Sequence, residues 1–145
     1  MENVEDLAGP EIQFIDMPQN GHMPKEILIV DDDQQVRTLL RRLLFESGYT
    51  TIVAVDGRQG VELAKTRKPD LILMDILMPD MDGYVACHII KTDSVTSEIP
   101  VVMLTAVDTE PGKAIAKEVD ADGYVTKPFT REKLLDVISQ FLPTS

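Results

Sequence analysis

Asp31, Asp32 and Asp33 stand in an unbroken row directly after the apolar run "ILIV" at 27–30. Like charges side by side repel, and every carboxylate resists leaving water. Three of them at the mouth of a buried strand therefore need a reason. Further along, other apolar runs also close on a polar residue: "LILMD" on Asp75, "PVVMLT" on Thr105 and "GYVTK" on Lys127. The acids suit a hard divalent cation that prefers oxygen ligands, such as Mg2+. Lysine suits phosphoryl oxygens by charge, and threonine by a hydrogen bond. Three carboxylates, a hydroxyl and an ammonium make a coherent set if one fold brings them together.

Not every acid belongs to that set. Asp33 immediately precedes a helical pattern and reads as its N-cap. Asp31 and Asp32 could serve the same cap, but Asp75 and Lys127 at equivalent strand ends favour a metal site. Asp80 and Asp82 in "PDMDG" imitate part of a calcium loop, yet Ile89 stands where that loop needs its terminal Glu. They read as turn and cap residues, with Asp82 the N-cap of a following helix. Cys87 and His88 fall on that helix, where packing or solvent exposure explains them.

The elements that must position these residues are legible in the hydrophobic pattern. Strands are expected at 26–30, 50–55, 70–75, 100–106 and 123–127, each a short apolar run. Between and after them come segments of helical period. The first, at 35–48, carries Val36, Leu39, Leu40, Leu43 and Leu44 on one stripe, with Gly48 as its stop. Others are expected at 57–67, 83–91, 110–119 and 131–142. Five strands alternating with five helices imply βαβ crossovers and a doubly wound α/β fold, its parallel sheet covered on both faces. In such sheets ligands sit beyond the carboxyl ends of the strands.

Composition narrows the partners. The 145 residues carry a formal net charge of −11, which argues against direct binding to nucleic acid. No apolar run approaches the length of a membrane span, and no basic stretch precedes an apolar one at the N-terminus, so neither membrane insertion nor secretion is expected. The single Cys87 fits a reducing cytoplasm. Residues 1–24 hold five acids (Glu2, Glu5, Asp6, Glu11, Asp16) and no Lys or Arg. Their only apolar cluster is Ile12, Phe14, Ile15 and Met17. They form a tail or linker apart from a folded domain at 25–145. It reads first as a disordered terminus or a cloning remnant marked by Gly21-His22-Met23, and otherwise as a docking segment, adding a strand to a sheet edge or covering a groove.

The four blocks "ILIVDDD", "KPDLILMDILMPDMDG", "PVVMLTA" and "ADGYVTKPF" resemble, in order and spacing, the receiver domain of two-component response regulators. The resemblance covers about residues 25–142, and it, rather than the pattern, supplies the strand order 2-1-3-4-5. It implies that Asp75 is phosphorylated and that Asp31, Asp32 and Asp75 hold Mg2+, Asp32 directly and Asp31 through water. The backbone carbonyl of Leu77 would complete the protein's ligands. Thr105 and Lys127 would contact the phosphoryl oxygens. Tyr124 matches an aromatic that turns inward on activation, and Lys127–Pro128 matches a bond that is commonly cis.

The implied function is acceptance of a phosphoryl group from a sensor histidine kinase or phosphotransfer protein. It would switch binding to a downstream protein partner through the face of strand four, the helix after it and strand five. A homodimer is also compatible with the resemblance. Leu77 and Val107 match positions that influence hydrolysis in that family, and neither side chain hydrogen-bonds water, so a long-lived phosphoryl group is expected. With three residues after the last expected helix, the chain reads as a single-domain regulator; the alternative is a receiver fragment of a larger one. Two readings from other classes remain. "DDDQQ" contains the D-x-D of haloacid-dehalogenase-like phosphatases, although Gln35 stands where they have Thr or Val and no cap segment is present. A pseudo-receiver would use the acidic pocket for binding without phosphorylation.

Overall fold

The apolar runs become strands and the periodic segments helices in a computed structural model that describes residues 23–106 and 120–143. In chain order these are β1 (Glu26–Val30), α1 (Gln34–Glu46), β2 (Thr50–Ala54), α2 (Gly57–Arg67), β3 (Leu71–Asp75), α3 (Gly83–Thr92), β4 (Val101–Thr105), β5 (Gly123–Thr126) and α4 (Arg131–Phe141). The expected helix at 110–119 and Val107 lie outside the described residues, so four of the five expected helices are seen. Most of the expected tail, 1–22, lies outside them too.

The strands form one parallel sheet in the order β2-β1-β3-β4-β5. Successive side chains on a strand point to opposite faces, and the core divides accordingly. Ile27, Ile29, Leu71, Leu73, Val102 and Leu104 pack with Leu40 and Leu44 of α1 and with Leu134 and Ile138 of α4. Leu28, Val30, Ile72, Met74, Val101 and Met103 pack on the other face with Ala64 of α2 and Ala86 and Ile90 of α3. β1, β3 and β4 are buried on both faces almost throughout, which is why they read as continuous apolar runs rather than alternating ones.

Helix starts are fixed by side-chain oxygens that accept otherwise orphaned N–H groups. Asp33 accepts from the Gln35 N–H at 2.8 Å, Asp56 from Gln59 at 2.8 Å, and Asp82 from Val85 at 3.0 Å. Thr130 accepts from the Lys133 N–H at 3.1 Å. Gly48, past the end of α1, has φ 95°, a conformation that L side chains resist. One expected core residue moves out. Leu39 is 54% exposed, because it lies about 100° round the helix from Leu40, on the flank of the stripe that Leu40, Leu43 and Leu44 define. No described helix is long and apolar enough to cross a membrane.

Candidate phosphoacceptor and metal site

All five strands run in one direction, so their carboxyl ends share one edge of the sheet. β1 and β3 are direct neighbours, Val30 opposite Met74, and the next residue of each is an aspartate. Asp31 and Asp75 therefore stand side by side. Thr105, the last residue of β4, lies opposite Thr126, and Lys127 follows at once. The topology gathers what 96 positions of sequence separate.

Asp31 is fully buried, Asp75 and Thr105 nearly so, and Asp32 is exposed. One carboxylate oxygen from each of Asp31, Asp32 and Asp75 lies within 4.8 Å of the other two. The Lys127 ammonium donates to Asp75 Oδ1 at 3.1 Å and to Asp31 Oδ2 at 3.4 Å. The other oxygen of Asp31 accepts the Asp33 N–H at 2.9 Å, and its backbone carbonyl accepts from Arg37 Nη1 at 2.8 Å.

These contacts set the charges. Burial pushes the Asp75 carboxyl above the usual carboxylate range and Asp31 adds to the push, while Lys127 pulls back. Burial alone would lower the Lys127 ammonium, but the negative charges of Asp31 and then Asp75 prevail and hold it above its ordinary value. The three-carboxylate donor set is all oxygen and open to solvent on the Asp32 side, which fits a hard divalent cation and not a thiolate- or imidazole-seeking metal.

The remaining expected residues take these places. Leu77, two positions past β3, has its side chain 68% exposed. Tyr124 lies on β5 opposite Met103 and is 39% exposed. It shares a sheet face with Thr126 and, across the strand pair, with Thr105. Lys127–Pro128 is cis.

Two contributors escape sequence reasoning. Arg37 carries no motif of its own, yet its guanidinium clamps the Asp31 carbonyl. Gly83 reads only as the start of a helix. A Cβ there would collide with the backbone oxygen of Asp75 and come within 2.8 Å of Ile76 Cα, so α3 packs directly under the site. The dipeptide Asp82-Gly83 marks a turn in sequence, but not what the turn approaches.

A family model described as the response regulator receiver domain matches residues 27–139. The alkaline phosphatase synthesis transcriptional regulatory protein PhoP of Bacillus subtilis (strain 168) is 43% identical over 108 residues, 74% of this chain and 44% of that protein. Response regulator MprA of Mycolicibacterium vanbaalenii is 39% identical over 113 residues, 78% of this chain and 48% of that protein. The chain thus spans a little under half the length of these curated relatives. Among solved structures, the Vibrio cholerae chemotaxis protein CheY4 superposes with a TM-score of 0.77 at 30% identity, covering 81% of this chain and 98% of that one. The receiver domain of the sensor histidine kinase PA1611 from Pseudomonas aeruginosa PAO1, with a magnesium ion coordinated in its active site cleft, has a TM-score of 0.77 at 29% identity. It covers 83% of this chain and 99% of that one.

Proposed function

Because this chain belongs to the response regulator receiver family of two-component systems, we propose that it is a signalling switch in which Asp75 accepts a phosphoryl group from a partner's phosphohistidine. The observation that carries this reading is the placing of Asp75: at a strand end, bonded to Lys127, beside Asp31 and Asp32. An Asp75 carboxylate oxygen attacks the phosphorus, a P–O bond forms as the P–N bond breaks, and the electron pair leaves with the imidazole nitrogen. The barrier is lowered by positioning and by neutralising the phosphoryl oxygens. Lys127 already stands within hydrogen-bond reach of the nucleophile, and the Thr105 hydroxyl caps the adjoining strand. Asp31, Asp32, Asp75 and the Leu77 carbonyl would hold Mg2+, which supplies positive charge to the phosphoryl oxygens when bound.

The donor is a sensor histidine kinase or phosphotransfer protein, and the output is altered binding of a protein partner at the face of β4, β5 and the residues between them. The chain turns over no substrate of its own; it assists its own phosphorylation and dephosphorylation. The receiver spans 25–145, residues 1–24 are its N-terminal tail, and the protein works in the cytoplasm. With a net charge of −11 this chain is a poor nucleic-acid ligand by itself.

Acetyl phosphate tests the assignment. Wild type with Mg2+ should gain the mass of one phosphoryl group, and both Asp75→Asn and EDTA should abolish the gain. Label retained in Asp75→Asn but lost in Asp31→Asn would move the nucleophile to β1 and favour a phosphohydrolase. A wild type that is never labelled would favour the non-phosphorylated module. The side chain of Leu77 offers no hydrogen bond to an attacking water, so Leu77→Asn combined with Val107→Glu should shorten the phosphoryl half-life several-fold. An unchanged half-life would refute the claim that these positions set it.

A further inference from the structure

Two helices stand out as basic in this acidic protein, α1 and α2, but on α2 Lys65 and Arg67 are already engaged by Asp93 and Glu26. Residues 25–145 hold 14 bases and 20 acids, yet α1 carries Arg37, Arg41 and Arg42 against Glu46 alone. Glu46 is engaged by Arg42 at 3.5 Å and by Arg131 at 3.1 Å. Arg37 is turned in toward the Asp31 carbonyl. Arg41 has no acidic partner among the described residues. Beside it runs a groove of about 320 Å³ lined by Thr38, Arg41, Arg42, Phe45 and Thr51. Phe45 is 64% exposed there. An exposed phenylalanine between two arginines, in a groove of a protein with net negative charge, wants an apolar and acidic cover.

The groove also lies against a sheet edge, since among the described residues β2 pairs with β1 alone. Strands at an edge, and grooves beside them, are where extended segments dock. The chain itself enters the fold at this place. The Lys25 carbonyl accepts the Thr50 N–H at 2.9 Å, and Thr51, the next residue, lines the groove. The segment before Met23 lies outside the described residues, but its sequence has the complementary character: five acids, no Lys or Arg, and the apolar cluster Ile12, Phe14, Ile15 and Met17.

We propose that residues 11–17, "EIQFIDM", occupy this groove within the same molecule. Phe14 and Ile15 cover Phe45, and Glu11 and Asp16 meet Arg41 and Arg42. Reach is no obstacle. The eight residues from Ile15 to Met23 span up to about 26 Å extended, and Lys25, two residues on, is bonded to Thr50 next to the groove residue Thr51. So short a tether holds the segment at an effective concentration on the order of millimolar, so weak contacts suffice. The proposal stands independently of phosphorylation at Asp75.

Amide NMR spectra of the full 15N-labelled chain test it. Phe14→Ser with Ile15→Ser should shift the resonances of Thr38, Arg42, Phe45 and Thr51 and leave those of α3 unmoved. Arg41→Glu with Arg42→Glu, on an exposed face that does not build the core, should shift residues 11–17 in turn. Adding Glu11→Arg and Asp16→Arg to that variant should restore the wild-type pattern at Thr51. The differences should survive about tenfold dilution, as an intramolecular contact must. Tail substitutions that leave the groove unmoved would overturn the proposal. Differences that fade on dilution would overturn it too, giving the groove to the tail of a second copy. Failure of the charge swap to restore the pattern would refute the ionic pairing.

Discussion

Asp31 shows how a buried acid is kept in place. One side-chain oxygen takes a backbone N–H from Asp33, the other faces Lys127, and Arg37 holds the backbone carbonyl. No described buried side-chain nitrogen or oxygen is left without a partner, so the desolvation cost of a carboxylate inside the fold is offset at each atom. Asp32, one residue on, points to water instead and can approach a cation from outside. The row of three aspartates thus divides into a buried anchor, an exposed candidate ligand and a helix cap. Cys87 is the contrasting case of a reactive group made inert. Burial pushes its thiol up to about 12, outweighing the pull of nearby Lys91. At pH 8 it is therefore protonated as well as enclosed, and Ellman's reagent should react at least about a hundredfold more slowly with the native protein than with the urea-unfolded chain. Comparable rates in the two states would show that α3 opens readily around it.

Gly83 places α3 against the site, and the element scale is where its consequence lies. The Gly83 N–H donates to the Ile76 carbonyl at 2.8 Å, and the helix begins where any Cβ would strike the Asp75 backbone. Gly83→Ala should cost about 1–3 kcal/mol by overpacking, measured by urea denaturation. It should also slow acetyl-phosphate labelling in a protein still folded, because relief requires β3's end or α3 to shift. Unchanged stability and labelling would mean that α3 docks less tightly than this. Such a contact was beyond the sequence, since a glycine after a capping aspartate looks the same whether its neighbour is backbone or water. Strands and helices were legible because burial on two faces writes continuous apolar runs and burial on one face writes a stripe. The site was legible because polar residues ended those runs. Long-range polar clamps were not. Asp70 accepts the Glu26 N–H at 2.8 Å, and Asp122 accepts the Val101 N–H at 2.8 Å and Lys91 at 2.9 Å. These carboxylates tie strand starts at the edge opposite the site, across 44, 21 and 31 positions with no periodicity to reveal them. Leu39 failed for the opposite reason: an apolar residue beside the stripe looks like part of it until the helix is docked.

For the whole molecule, the question is how a change at one edge of the sheet reaches a surface. The core on either side of β3 and β4 is fully buried, and close-packed interiors pass on displacement rather than absorb it. β5, which pairs with β4, is the less buried strand of the two. Thr105 lies opposite Thr126, Tyr124 lies two residues back on the same face, and Tyr124 is already 39% exposed. Under the proposed function, a phosphoryl group on Asp75 would add acceptor oxygens that draw the Thr105 hydroxyl toward them, leaving room beside β5 for a tyrosine ring to enter. Such a switch would be a shift between two packings, with Tyr124 its reporter. The chain has three tyrosines and no tryptophan, so 3-fluorotyrosine gives a 19F spectrum of three lines, with Tyr124→Phe identifying one. Beryllofluoride with Mg2+ should move the Tyr124 line and leave those of Tyr49, buried under α1, and Tyr84, on α3, close to their starting positions. Thr105→Ala should blunt the Tyr124 response without abolishing beryllofluoride binding, because Lys127 and the aspartates remain. If Tyr124 stays still while the ligand binds, the signal leaves the site by another face. If it moves equally in Thr105→Ala, the threonine is not the link.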